Sequence, residues 1–371
     1  MHVARAMGII ANKVSFARTF ILWFTNGINE MSKTIYYIGA GASYGLRENG
    51  EIVEGIPVVK ELPKEFEAFK HFIEDAEIPE GEIVFQDMYQ TGHNDVENAK
   101  MYMLQDMNSL MQGIKEHATI DTYARKLYLK KRNRDFEQLK ALLCAFFLWE
   151  QLQHKPDGRY DTFLANVLDE KTLNIPKNIS FVSWNYDSQM ELAFQSYRLN
   201  TGLALFEKNI VGSWPLLTDY GRVFKVNGSA TFANGEIVSL IHEYNKTSVA
   251  IQIIQFYSNS MADTTSMGYQ FKTHLSFAWE DSPNNENMME SLRKTLVDTE
   301  QVVVIGYSFP FFNRTKDREI FNQMLNLKKV YVQDLNPNAV MQNMRAVLPV
   351  EKKIEVVPIT DCSQFYLPSE L

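Results

Sequence analysis

The chain has 371 residues, of which 45% are hydrophobic, 12% aromatic and 22% charged, as is typical of a folded globular protein with a sizeable core. Its formal net charge of −8 argues against broad binding to nucleic acid or to an anionic membrane, because such binding needs an excess of Lys and Arg. The two cysteines and the seven histidines, which show no paired spacing, exclude a disulfide framework and a four-thiolate zinc site. We therefore predict no metal centre and a reducing, cytoplasmic location.

The first 31 residues differ in character from the rest of the chain. Arg5, Lys13 and Arg18 precede an apolar patch from Phe20 to Phe24, which is too short to span a bilayer. A basic start and an apolar middle are compatible with a signal peptide, but no clear small-residue cleavage site follows. We interpret residues 1–31 as an amphipathic extension, or as residues upstream of a natural start at Met31.

A buried strand is predicted at residues 34–38, which are apolar and favour β-structure. A tight glycine turn follows directly, and we expect a helix to begin there. Such a turn lets the backbone approach a pyrophosphate, whose charge is stabilised by the free amides at the start of the helix. The third glycine of the usual dinucleotide fingerprint is displaced to Gly45, so the match is weak. An ordinary tight turn is therefore an alternative interpretation of the same string. The turn comprises Gly39, Ala40, Gly41, Ala42 and Ser43.

Residues 61–175 have a different, helical pattern. Apolar residues recur at helical spacing near Phe66 and Phe69, and they do so more densely between Leu139 and Trp149. This block separates the first strand from the next predicted core strand. We therefore predict an inserted helical subdomain at residues 61–175, with residues 32–60 and 176–371 forming the domain into which it is inserted.

Short apolar segments with β character alternate with helical stretches in the second half of the chain. This alternation is typical of a parallel sheet that is covered by helices on both sides. The predicted fold class is α/β, a Rossmann-like doubly wound parallel sheet with an inserted helical subdomain. The predicted strands are Ile179–Trp184, Arg222–Val226, Ser248–Phe256, Leu275–Trp279, Val302–Ile305, Val330–Val332 and Ile354–Val357, and one of the predicted helices is Glu286–Asp298.

Polar or glycine-rich motifs follow several of these strands. They are WNYD at 184–187, NGS at 227–229, IGYSFP at 305–310 and DLNP at 334–337. Open α/β sheets bind ligands outside the carboxyl ends of their strands, so these motifs are candidate ligand contacts. Each motif alone is also compatible with ordinary turn chemistry, such as an Asx turn. Their joint order indicates a shared site.

Together with GAGAS at 39–43, this ordered set resembles the sirtuin-like NADases of bacterial anti-phage defence, over roughly residues 32 to 360. The resemblance implies a Rossmann domain with an inserted helical subdomain and NAD as ligand. It also implies hydrolysis of NAD to nicotinamide and ADP-ribose, which depletes the infected cell. Sirtuins that deacylate lysine are similar too, but they carry a four-cysteine zinc module that two cysteines cannot supply.

The resemblance assigns roles to individual residues. Asn185 matches the catalytic asparagine that orients water or ribose beside the scissile bond, and Asp187 is its neighbour in the same motif. The phosphate turn corresponds to residues 39–43, and Asp334 corresponds to a contact with the adenosine ribose. The loop that closes on the nucleotide corresponds to Gly306, Tyr307 and Ser308.

One position departs from the family pattern. Much of the family has a histidine before the glycine where this chain has Asn227. An amide cannot act as a general base near neutral pH, although it can hydrogen-bond the nicotinamide ribose. Since cleavage of NAD has a good leaving group, positioning and electrostatics can suffice without a strong base. His242 and Asp187 are alternative polar partners for the reaction.

Three hypotheses stay open at the level of sequence. The first is an NAD glycohydrolase effector that is held inactive until a partner or a phage-derived activator assembles it. The second is a non-catalytic module that binds NAD or ADP-ribose and reports on it, motivated by Asn227. The third is an assembly subunit in which the helical block at 61–175 forms a homo-oligomer or docks a separate ATPase. We expect no direct contact with nucleic acid or membrane.

Overall fold

The computed structural model describes residues 33–80, 95–117, 119–197, 210–211, 223–231, 246–261, 273–280 and 283–371. Within this part of the chain, Lys33–Leu367 belongs to one compact unit. The predicted N-terminal extension at residues 1–31 and the alternative residue His242 lie outside the described residues.

The core of the fold is a seven-stranded sheet in the order β5-β6-β4-β1-β7-β8-β9, in which every neighbouring pair is parallel. The other two strands form a small antiparallel hairpin. The predicted α/β, Rossmann-like doubly wound fold is thereby confirmed. The strands are β1 (Thr34–Ile38), β2 (Arg47–Glu48), β3 (Glu51–Ile52), β4 (Ile179–Ser183), β5 (Ile210–Val211), β6 (Val223–Lys225), β7 (Gln301–Ile305), β8 (Lys329–Gln333) and β9 (Glu355–Ile359).

Helices lie between these strands in sequence and pack against the sheet. They are α1 (Leu62–Glu74), α2 (Val96–Lys115), α3 (Ile120–Leu129), α4 (Asn133–Gln153), α5 (Gly158–Val167), α6 (Gln189–Gln195), α7 (Lys246–Met261), α8 (Pro283–Leu296), α9 (Arg314–Gln323) and α10 (Pro337–Met344). Among the described helices, none combines the length and the apolar character needed to cross a bilayer.

Strand β1 is covered on both faces, which explains its unbroken apolar sequence. On one face Ile35 and Tyr37 share a hydrophobic core with side chains of α8, α9 and α10. On the other face Tyr36 packs against Phe163 of α5, with ring centroids 4.8 Å apart, and stacks on Phe181 of β4. The central strand therefore lies between two helical layers.

A second hydrophobic core joins α1, α2, α3 and α4. Its centre is aromatic, and Phe69 of α1 lies against Phe146 and Trp149 of α4. Val249 of α7 and Phe277 belong to the same core although they follow the predicted block in sequence. The boundaries of the inserted subdomain stay a prediction.

The prediction of a strand at Ser248–Phe256 is wrong, since these residues belong to helix α7. The run is rich in β-branched and aromatic residues, which favour strands when taken alone. Val249, Ile253 and Tyr257 are nevertheless buried at helical spacing against the second core. Tertiary packing of this face overrides the local β preference.

Two further expectations need correction. The predicted strand at Leu275–Trp279 is reduced to an isolated antiparallel bridge between Leu275 and Gly228. The glycine turn after β1 leads into a single 3₁₀ turn, Ala40–Ser43, instead of an α-helix. Gly45, with φ +65°, ends that turn in the left-handed region and directs the chain into the β2–β3 hairpin.

Candidate functional site

The loops that follow β1, β4, β6, β7 and β8 all leave the same edge of the sheet, because these strands are parallel. Strands β4, β6 and β5 lie on one side of β1, and β7, β8 and β9 lie on the other. The sheet strands between β1 and β7 in sequence therefore all lie on one side of β1, and the chain changes to the other side at β7. Open α/β sheets place their ligand crevice at such a switch point.

The glycine turn packs directly against the loop after β7. Gly39 N donates to Ile305 O at 3.0 Å, and Gly41 N donates to Gly306 O at 3.0 Å. A Cβ atom on Gly41 would lie 2.7 Å from the Cα of Gly306, which itself has φ +58°. These glycines are thus required by close backbone packing, a reason that the sequence motif does not reveal.

Asn185 joins the loop after β4 to the glycine turn. Its side chain is 7% exposed, and its Nδ2 donates to Gly39 O at 3.0 Å and to Ser43 Oγ at 3.2 Å. The hydroxyls of Ser43 and Tyr160 are 3.1 Å apart, which ties helix α5 to the same cluster. The two motifs that sequence analysis assigned to catalysis and to phosphate binding are therefore in direct contact.

Asp187 lies deeper in the protein than Asn185. Its Oδ1 accepts a hydrogen bond from Gln189 N at 3.0 Å, which is the Asx-turn arrangement at the start of α6. Burial raises the pKa of the Asp187 carboxyl, and the nearby Lys225 opposes that rise. Lys225 also donates to the backbone carbonyl of Asp187 and forms an ion pair with Glu191 at 2.7 Å. The catalytic role predicted for Asp187 stays a prediction.

Asn227 is brought next to the loop after β4. It is 7% exposed, and its Nδ2 donates to Trp184 O at 3.0 Å. Its Oδ1 is buried and has no hydrogen-bond partner among the described residues. The following residue, Gly228, has φ +67° and forms the bridge to Leu275. Asn227 therefore presents an acceptor that suits a hydroxyl or amide donor.

Tyr307 is a core residue, whereas Ser308 is at the surface. The Tyr307 ring stacks on Trp184, with centroids 5.3 Å apart, and its hydroxyl donates to the Asp317 carboxylate at 3.1 Å. Burial raises the pKa of Asp317 to about 7, and hydrogen bonds from two tyrosine hydroxyls oppose the rise. Ser308 is exposed, and its carbonyl accepts from Asn343 Nδ2.

A cleft of about 800 Å³ opens on the β7–β8 side of the glycine turn. Gly41, Gly306 and Asp334, which are predicted to contact the nucleotide, are among its lining residues. Asp334 is partly buried, and its Oδ1 accepts from Asn336 N at 2.8 Å. The volume lies in the range of small-molecule sites. Asn185 and Asn227 are not part of the cleft lining.

Helix α5 contributes cleft residues that sequence analysis did not select. The most prominent are Asp157, Gly158 and Arg159, at the start of that helix. Cys362 and Gln364, which follow β9, also line the cleft. A capping aspartate before a helix was readable in the sequence, but nothing local indicated that this helix borders the glycine turn.

Comparison with protein-family models and with curated proteins finds no match to this chain. In the part of the chain that the structure describes, no group of three or more His, Cys, Asp or Glu side chains is arranged to hold a metal ion. The fold, the geometry of the site and the resemblance of the strand-end motifs are therefore the observations that bear on the function of this chain.

Proposed function

We propose that this chain binds NAD at the carboxyl edge of its parallel sheet and hydrolyses the bond between nicotinamide and ribose. The observation that carries the proposal is the pair of hydrogen bonds from Asn185 Nδ2 to Gly39 O and Ser43 Oγ. They place the asparagine that resembles a catalytic residue beside the turn that resembles a phosphate site. The cleft next to that turn has room for the ADP-ribosyl part of the ligand.

The chemistry makes modest demands on the site. Water attacks the anomeric carbon, the carbon–nitrogen bond breaks, and its electron pair leaves with nicotinamide as a neutral molecule. The water proton passes to solvent, and the products are nicotinamide and ADP-ribose. A buried amide oxygen can orient a ribose hydroxyl or the water, and Asn227 Oδ1 is such an acceptor. Orientation by Asn185 and Asn227 is thus the proposed contribution of the protein.

We further propose that this activity serves bacterial anti-phage defence, where loss of NAD halts the infected cell by abortive infection. In this proposal a cytoplasmic homo-oligomer is switched on by a partner ATPase or by a phage-derived activator. The support is the resemblance of the five ordered motifs, which the fold brings to one edge of the sheet.

The test is chromatography of NAD and its products after incubation with the purified full chain, alone and with candidate activators. We expect nicotinamide and ADP-ribose in equal amounts from the wild type. Asn185→Ala should lower the rate by about 100-fold or more, because an orienting group is lost at the scissile bond.

Asn166→Ala is the matched control, since Asn166 is an exposed asparagine that only bonds Thr162 O within α5. It should leave the rate unchanged. Full activity of Asn185→Ala would contradict the assignment of the site.

A non-catalytic sensor of NAD or ADP-ribose is the second candidate, and the amide at Asn227 favours it. Under this alternative NAD binds without turnover in the wild type, and Asn227→His creates hydrolysis where there was none. If the wild type already hydrolyses NAD and Asn227→His only changes the rate, the enzyme hypothesis holds. The same chromatographic measurement separates the two.

A further inference from the structure

We propose that Arg159 of helix α5 is the cation that recognises the diphosphate of the ligand. The cleft would then select compounds with an ADP-ribosyl diphosphate and reject nucleosides. This inference rests on the proposed function in one respect, namely that the cleft takes a nucleotide. It adds a residue from the helical block at 61–175 to a site whose other predicted members follow strands of the sheet.

Three backbone amides of the glycine turn are already engaged. Gly39 N and Gly41 N donate to carbonyls of the loop after β7, and Ala42 N donates to Gly39 O at 2.8 Å. Gly45 N donates to Asp157 Oδ2 at 2.7 Å. An incoming anion therefore finds few free amides at this turn, and a side-chain donor has to supply the compensating charge.

Arg159 is held rigidly at that place. Its Nη2 donates to Gly41 O at 2.8 Å and to Asp157 Oδ2 at 2.6 Å, and its Nε contacts both oxygens of the same carboxylate. Its Nη1 donates to Cys362 O at 3.3 Å. The guanidinium thus connects the glycine turn with the segment after β9. A cation fixed in this way loses little conformational entropy when it binds a ligand.

One N–H group of the Arg159 guanidinium is left to donate to a ligand. A guanidinium carries five N–H groups, and the contacts with Asp157, Gly41 and Cys362 use one on Nε, two on Nη2 and one on Nη1. The second N–H of Nη1 has no protein partner in the described part of the chain. The side chain is 18% exposed, and Arg159 is one of the residues that line the cleft.

The charges that line the cleft make Arg159 the candidate partner of a diphosphate. Arg159 is the one cationic side chain among the described residues that line it, against the carboxylates of Glu54, Asp157 and Asp334. Asp157 and Arg159 neutralise each other in an ion pair at 2.6 Å, so the net charge of the lining side chains comes from Glu54 and Asp334 and is negative. Without this arginine, a diphosphate would meet only negative side chains, and its binding would be strongly disfavoured. Recognition of a diphosphate in this cleft therefore depends on Arg159.

The test is calorimetric titration of the full chain with ADP-ribose and with adenosine, which differ in the diphosphate and terminal ribose. Arg159→Gln should weaken the binding of ADP-ribose by about tenfold or more and that of adenosine by less than about twofold. Arg293→Gln is the matched control, because Arg293 forms a surface ion pair with Glu319 on α8 and α9. It removes the same charge and should leave both affinities unchanged.

Arg159→Lys separates a loss of ligand contacts from a folding defect. It keeps a cation beside the buried Asp157 but cannot bridge to Gly41 and Cys362 together. It should bind ADP-ribose more weakly than the wild type, with a normal thermal melt. Wild-type affinity for ADP-ribose should also fall between about 50 and 500 mM salt, whereas that for adenosine should not.

Equal binding of ADP-ribose by the wild type and both Arg159 variants would overturn the inference, as would wild-type affinity for adenosine equal to that for ADP-ribose. Arg159-dependent binding of ADP-ribose without release of nicotinamide from NAD would support the inference and contradict the proposed hydrolysis. If the wild type binds neither NAD nor ADP-ribose, both are wrong.

Discussion

Cys362 is more accessible to thiol reagents than Cys144, so the labelling of Cys362 can report whether a ligand occupies the cleft. Cys362 lines the cleft, whereas Cys144 is completely buried inside α4. Burial raises the pKa of the Cys362 thiol, so its thiolate forms mainly at alkaline pH. The chain therefore carries one natural reporter at the candidate site and one thiol that stays protected while the protein is folded.

We predict that saturating ADP-ribose slows the alkylation of Cys362 several-fold, because a ligand in the cleft covers the sulfur. Labelling by iodoacetamide at about pH 8, followed by mass spectrometry of the peptides, measures the rate. Cys362→Ser should remove the fast-labelling site and leave Cys144 unlabelled. An unchanged rate at saturating ligand would show that the ADP-ribosyl group binds elsewhere.

The candidate site residues that the sequence predicts all lie in the loops directly after strands. Asn185 and Asp334 were accessible to prediction because each follows an apolar strand, and parallel strands end at a common edge. Arg159 was not, since its place depends on how α5 packs against the glycine turn, which no local pattern encodes. Asp187 also follows an apolar strand, and its carboxylate accepts a hydrogen bond in an Asx turn, so its catalytic role stays a prediction.

The turn after β1 and the loop after β7 form a closely packed pair of backbone segments. Gly306 has φ +58°, and a Cβ atom there would lie 2.4 Å from the Cα and carbonyl carbon of Gly41. Backbone atoms cannot move aside as a flexible side chain can. The two loops must therefore separate if a larger residue stands at this position.

We predict that Gly306→Ala lowers the free energy of unfolding by more than about 2 kcal/mol, measured by urea denaturation. Gly50→Ala is the control, because Gly50 also has a positive φ of +85°, but a Cβ atom there would meet none of the described residues within 4 Å. It should cost only about 1 kcal/mol from backbone strain. Equal losses for both variants would show that the contact between the loops is not tight.

The elements themselves were largely predictable from pattern, and the failures have a physical cause. Strands β1, β4, β7 and β8 are largely apolar or β-branched and almost entirely buried, as expected for a sheet covered on both sides, whereas β9 at the edge of the sheet is not buried. Helix α7 carries the same kind of residues, and only its burial at helical spacing distinguishes it. The order of strands in the sheet could not be predicted from the sequence, since it depends on pairings between distant segments.

Helix α4 places a carboxyl group inside the folded protein, which affects the stability of the whole molecule. Burial, followed by the charge of the nearby Glu65, raises the pKa of Glu150 from 4.5 to about 8. His154 lies 3.5 Å from this carboxyl, and burial lowers the pKa of its imidazole. Since the folded state binds the Glu150 proton more tightly than the unfolded state, this group stabilises the fold at low pH.

We predict that the contribution of Glu150 is lost as the pH rises from about 4.5 to about 8, by up to about 1.4 kcal/mol per pH unit. Urea denaturation between pH 5 and pH 8 measures it. Glu150→Gln, which resembles the protonated acid, should flatten the profile. Glu77→Gln changes an exposed residue and should not. A Glu150→Gln profile as steep as that of the wild type would contradict the assignment.

The position of β1 in the sheet has a consequence for how the protein is made. Thr34 pairs with Ile179 on one side and with Gln301 on the other, so both neighbours of the central strand leave the ribosome long after it does. Throughout that interval the nascent chain carries an apolar strand with two open edges, which is prone to association with other chains. Chaperone protection during translation should therefore matter more for this protein than its size alone suggests.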